Sequence, residues 1–141
     1  MSYLDLVHKA LHQIASGLPD SLNHYFLLAN YYDYVDTDWP RCLPAALWFN
    51  ANTVQRFELR DQALRCEVVL DQTRRQWSLI RVPYDQIWQL LALRVDPADE
   101  VVFADGRSTE LFFEPSRIQI PLRTKPAESA TLKVRGGKKA K

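Results

Sequence analysis

The stretch Ala45-Ala46-Leu47-Trp48-Phe49-Asn50-Ala51-Asn52-Thr53-Val54-Gln55-Arg56-Phe57-Glu58-Leu59-Arg60 joins two strand patterns through a turn. Residues 45–50 are apolar and aromatic, which favours extended backbone packed on a core. Asn50-Ala51-Asn52-Thr53 reads as a turn, because Asn tolerates left-handed geometry and bonds its own backbone. Residues 54–60 then alternate, as a half-exposed strand does. A strand–turn–strand unit in mid-chain points to a mostly β protein.

The flanks extend that pattern. Upstream, Leu4, Val7, Leu11, Ile14 and Leu18 recur at helical spacing, with Ser2 and Asp5 placed for a capping box. Gly17 and Pro19 mark the expected stop of this helix. Its stripe either packs on the body or forms a dimer seam with a second copy. His24-Tyr25-Phe26-Leu27-Leu28-Ala29-Asn30-Tyr31 is a strand pattern, and 32–43, which carries Asp33, Asp36, Asp38 and Pro40, is expected to be a loop. After the turn candidate Asp61-Gln62, segments 63–70 and 76–82 read as strands about a polar loop at 71–75. Pro83 suits the first turn of a short helix over 84–91. Segments 101–104 and 111–113 are expected to form a hairpin around Asp105-Gly106. The expected body, 1–114, is thus an N-terminal helix, a curved and mostly antiparallel sheet, and a short late helix, an α+β architecture.

Charge divides the chain at the same place. Residues 1–114 hold ten Lys/Arg against sixteen Asp/Glu, and residues 115–141 hold eight against one. Pro115, Pro121 and Pro126 interrupt every pattern there, so a disordered basic tail is expected. Such a tail is drawn to acidic surfaces on proteins or nucleic acids. The N-terminus has no secretory pattern, and no apolar run approaches the ~20 residues of a membrane span, so no membrane association and a cytoplasmic location are expected. Cys42 and Cys66 are then expected as reduced thiols, too few for a Cys-based zinc site.

Catalytic chemistry finds little footing. His8 and His12 lie one helical turn apart, but Lys9 stands where a zinc peptidase needs Glu, and a solvated helix face is the simpler reading. His24 has no obvious partner. Asp33, Asp36 and Asp38 lack the spacing and closing Glu of a calcium loop. No serine sits in a Gly-flanked nucleophile turn, and four glycines are too few for a phosphate loop. The expectation is a non-enzyme without cofactor or metal. Of Trp39, Trp48, Trp77 and Trp88, most are expected in the core, with one available to line a groove. A curved sheet with edges and aromatics suits an extended peptide or single-stranded RNA.

Residues 46–59, with Leu64-Arg65-Cys66-Glu67, Arg75-Gln76-Trp77-Ser78-Leu79 and Val82-Pro83-Tyr84-Asp85-Gln86-Ile87, resemble the stringent starvation protein B (SspB) family over about residues 3–92. In that family a strand ends in a Val-Pro step that opens a helix. Ala130-Thr131-Leu132-Lys133-Val134-Arg135-Gly136-Gly137-Lys138 is similar to the family's C-terminal peptide that docks on the ClpX ATPase, although Arg-Gly-Gly here follows the apolar core. The resemblance implies a small Sm-like barrel or open β-sandwich. It further implies an adaptor that grips ssrA-like degradation tags and delivers them to the ClpXP protease. Peptide contacts are expected from Asn50, Ala51, Asn52, Thr53, Val54 and Arg65, with Arg74 and Arg75 attracting an acidic tag, and ClpX docking from Thr131, Leu132, Lys133, Val134 and Arg135. The family's Phe-Gly-Gly turn corresponds to Leu70-Asp71-Gln72 here. The competing expectation is an RNA- or ribosome-associated small barrel whose tail tracks phosphates.

Overall fold

Ser2 caps the one α-helix among the described residues, α1 (Tyr3–Gly17). The Ser2 hydroxyl accepts from the Asp5 N–H and the Asp5 carboxylate from the Ser2 N–H, both at 3.2 Å, so the capping box forms as expected. The structure, a computed structural model, describes residues 2–70, 76–103 and 106–119. Val7, Ala10, Leu11 and Ile14 face the core, while Leu4 of the expected stripe lies exposed at the helix start. Gly17 is still helical, and right-handed Leu18 caps the end. The glycine serves packing rather than a left-handed stop: a Cβ there would strike the Tyr25 hydroxyl.

Eight strands follow among the described residues: β1 (Asn23–Ala29), β2 (Asp33–Tyr34), β3 (Ala45–Phe49), β4 (Val54–Leu59), β5 (Ala63–Val69), β6 (Trp77–Pro83), β7 (Ile87–Arg94) and β8 (Thr109–Phe113). They form two antiparallel sheets, β3-β1-β7-β8 and β2-β6-β5-β4, rather than one curved sheet. Mostly β with an N-terminal helix is therefore the architecture. Alternation places Tyr25, Leu27, Leu47, Phe49, Leu64, Cys66, Ile80 and Val82 in one core. The helix packs on β4, β7, β8 and a 3-10 turn at Tyr84–Gln86. Tyr3 pins it there by donating to the carbonyls of Tyr84 and Ile87.

Three expectations are corrected. The helix over 84–91 is only the 3-10 turn, after which β7 begins. Ile87, Leu90 and Leu93 are buried at spacing three, which imitates a helix. The cause is a bulge opposite Leu28/Ala29, which leaves Trp88 without a register partner on β1 and breaks the alternation. The expected hairpin does not form, because β8 pairs with β7 (Leu90 opposite Phe112) and Phe103 instead stacks on Phe26 at 5.0 Å. Within the expected loop, β2 pairs with β6, setting Asp33 opposite Arg81.

Packed structure also continues past Glu114. A 3-10 turn spans Pro115–Arg117, and buried Asn30 donates to the Arg117 carbonyl at 2.9 Å and accepts from the Gln119 N–H at 2.6 Å.

Candidate functional site

β3 and β4 are consecutive in the chain and stand at the ends of different sheets, so they do not pair with each other. The turn between them is held by its own polar groups. Asn50 Oδ1 accepts from the N–H groups of Asn52 (2.7 Å) and Thr53 (3.1 Å). Thr53 Oγ1 accepts from the Asn50 N–H (2.9 Å) and donates to the Trp48 carbonyl (3.0 Å). This is the Asn-centred turn expected from the sequence, with Asn50 and Thr53 buried at its base. Beyond it, the Phe49 and Phe57 rings meet edge to face at 5.8 Å across the point where the sheets part.

β4 is an irregular edge. Gln55 opposes Glu67 and Glu58 opposes Arg65, so one extra residue lies between them. Arg56 adopts a left-handed φ of 52° in this bulge. Its guanidinium lies 3.5 Å from Glu67 and stays 74% exposed. Gln55 reaches the same carboxylate at 2.7 Å.

The expected peptide-binding residues thus separate. Asn50 Oδ1 and Thr53 Oγ1 are engaged inside the turn, while Asn50 also lines a surface cleft with His24 and Trp48, and Val54 is buried in the core. Ala51 and Asn52 project at the tip, and half-buried Arg65 lies on the outer face of β5. Arg74, Arg75 and the docking residues Thr131, Leu132, Lys133, Val134 and Arg135 lie outside the described residues. His8 and His12 face each other edge to face with centroids 6.1 Å apart, and His8 also packs on Tyr84. Among the described residues no group of three His, Cys, Asp or Glu is placed to hold a metal. Cys42 and Cys66 are free thiols, and burial pushes the Cys66 thiol up to about 12.

The tryptophans contradict their expected burial. Trp39, Trp48 and Trp77 are 58, 43 and 42% exposed, and Trp88 is half-buried. Trp39 meets Tyr34 edge to face at 5.0 Å, and these two line a cleft of about 440 Å³ with Trp77 and Asp36. Trp48 lies along the His24 ring and donates its indole N–H to His24 Nδ1 at 3.1 Å. Desolvation lowers the His24 pKa. The sequence carried no signal for Trp48: it falls on the exposed phase of β3 beside Ala46, and every residue of that strand is apolar.

The outer face of the second sheet carries what the sequence reading missed. Glu58 of β4 is engaged by Arg60 at 2.6 and 3.1 Å, which holds its carboxyl below the usual range. Arg65 and Arg81 stand opposite each other on β5 and β6. Only pairing register reveals this, since the two are sixteen positions apart. No helix among the described residues is long and apolar enough to cross a membrane. Comparison of the chain with family models, with curated proteins and with solved structures finds no match.

Proposed function

We propose that this chain is a delivery adaptor that grips extended, degradation-tagged polypeptides at the edge of β4 and tethers them to the ClpX ATPase of the ClpXP protease. The observation that carries the reading is the parting of β3 from β4, which leaves β4 without a strand partner on its outer side among the described residues. An unpaired edge offers main-chain donors and acceptors to an incoming strand, while alternate side chains supply choice. The bulge at Arg56 bends that edge and limits indiscriminate pairing. On this reading the two sheets are a small Sm-like, SspB-like barrel opened between β3 and β4. Residues 131–135 dock on ClpX, and Leu4 and Leu6 are the exposed apolar positions that α1 offers a second copy.

The test is fluorescence anisotropy of a labelled ssrA-like tag peptide, titrated with the full chain and with a chain lacking residues 128–141. Saturable binding that survives removal of the tail is expected. A peptide N-methylated at alternate residues should lose binding in one register and keep it in the other. Loss in neither register excludes strand addition. A second reading, an RNA- or ribosome-associated module, draws on the exposed Trp39 and Trp77 and the basic tail. RNA affinity that collapses between 50 and 200 mM salt, with no peptide binding, would favour it.

A further inference from the structure

Pairing register places four charged residues in a row across the outer face of the second sheet: Asp33, Arg81, Arg65 and Glu58, from β2, β6, β5 and β4. The end acids are already occupied. Arg41 Nε holds Asp33 at 3.0 Å, and Arg60 holds Glu58 at 2.6 Å. The two central arginines make no hydrogen bond or ion pair among the described residues. Like charges directly opposite on neighbouring strands repel, so the bare fold gains nothing from this pair.

The same two side chains line a concavity of about 500 Å³ with Arg60, Val35, Leu59 and Asp61. Each guanidinium presents five N–H donors in a planar fork that matches a carboxylate. Val35 and Leu59 offer apolar wall to the methylenes of an acidic side chain. Strands hold both arginine backbones opposite each other, so no loop has to order to bring them together. We infer that Arg65 and Arg81 form the carboxylate subsite of the chain, taking the Asp or Glu side chains of an acidic client polypeptide. The inference rests on the peptide-binding reading above and assigns the class of peptide.

The experiment compares a fluorescein-labelled octapeptide of Asp and Glu with its Asn/Gln isostere, titrated into the wild-type chain and into Arg65→Gln/Arg81→Gln. The substitutions break no bond within the fold, and an unchanged melting temperature checks this. The basic tail is common to both chains, so the readout is the change in preference: the double variant should favour the acidic peptide over the isostere about tenfold less than the wild type does. A preference undiminished in the variant overturns the subsite while leaving the peptide reading in place. If neither peptide binds, both fall together. Inorganic phosphate titrated against the arginine Nε–Hε signals then separates the remaining case: shifts at Arg65 and Arg81 without peptide binding assign the pocket to a free anion and overturn the polypeptide source.

Discussion

Arg56 keeps a left-handed backbone in mid-strand, which costs a non-glycine residue about 1–2 kcal/mol. Its contact with Glu67 is long and solvent-exposed, and such pairs contribute less than about 1 kcal/mol. Glycine at this position removes the strain but enlarges the unfolded ensemble by about 0.5–1 kcal/mol. Arg56→Gly is therefore expected to raise stability by about 0.5 kcal/mol, read from the urea midpoint. His24 gives a pH dependence of definite sign. Its folded pKa is depressed by desolvation, so its contribution is complete above the ordinary value and is lost as pH falls through the folded value. Protonation also removes the acceptor for the Trp48 indole. The urea midpoint should fall between pH 7 and pH 5, and His24→Gln should flatten that part of the profile. At this scale the turn residues Asn50 and Thr53 were legible, because side chain and backbone bond within four residues. That the turn engages Asn50 Oδ1 and Thr53 Oγ1 was not, since the sequence does not say which of their atoms those bonds use.

Elements were legible where one pattern ruled. α1, β3 and β5 follow their periods because each has one face on the core. β7 misleads because bulges on both sides shift its phase, and Leu91 and Leu93 are as apolar as Leu90. β2 is invisible to any window, being two residues paired with a strand far along the chain. Gly17 supplies the test at this scale. Alanine gains up to about 1 kcal/mol of helix propensity. Against this, the new methyl must displace the Tyr25 ring, whose buried side chain spans from β1 to the helix end. Overpacking of this kind costs about 1–3 kcal/mol, so Gly17→Ala should lower the melting temperature. A rise would show that Tyr25 yields freely. Ser2→Ala should cost about 1 kcal/mol through loss of the bond from the Asp5 N–H to the Ser2 hydroxyl, measured in the same scans.

For the molecule as a whole, the two thiols report on global opening. Cys66 sits at the centre of the core with its thiol pushed up to about 12, while Cys42 is half-exposed beside the Tyr32 bridge. A thiol reagent should label Cys42 rapidly and Cys66 only at the rate set by unfolding, so Cys66 labelling should follow urea along the unfolding curve. Early labelling of Cys66 would mean that the second sheet opens by itself. The class of architecture was readable because helix and strands declare themselves locally. The division into two sheets was not, since β1 chooses β3 and β7 as neighbours over the strands nearest in sequence. The arginine row on the outer face was hidden for the same reason.

That pairing of β1 with β7 has a consequence in time. Residues 23–29 emerge early in synthesis, yet one of their two partners, 87–94, is made some sixty positions later, and the Asn30 amide waits for Arg117 and Gln119. The first sheet therefore cannot be completed as the chain lengthens, whereas β4, β5 and β6, a local meander, can assemble as they appear. Birth order and folding order run in opposite directions here: the middle of the chain is the natural nucleus, and its two ends close around it last.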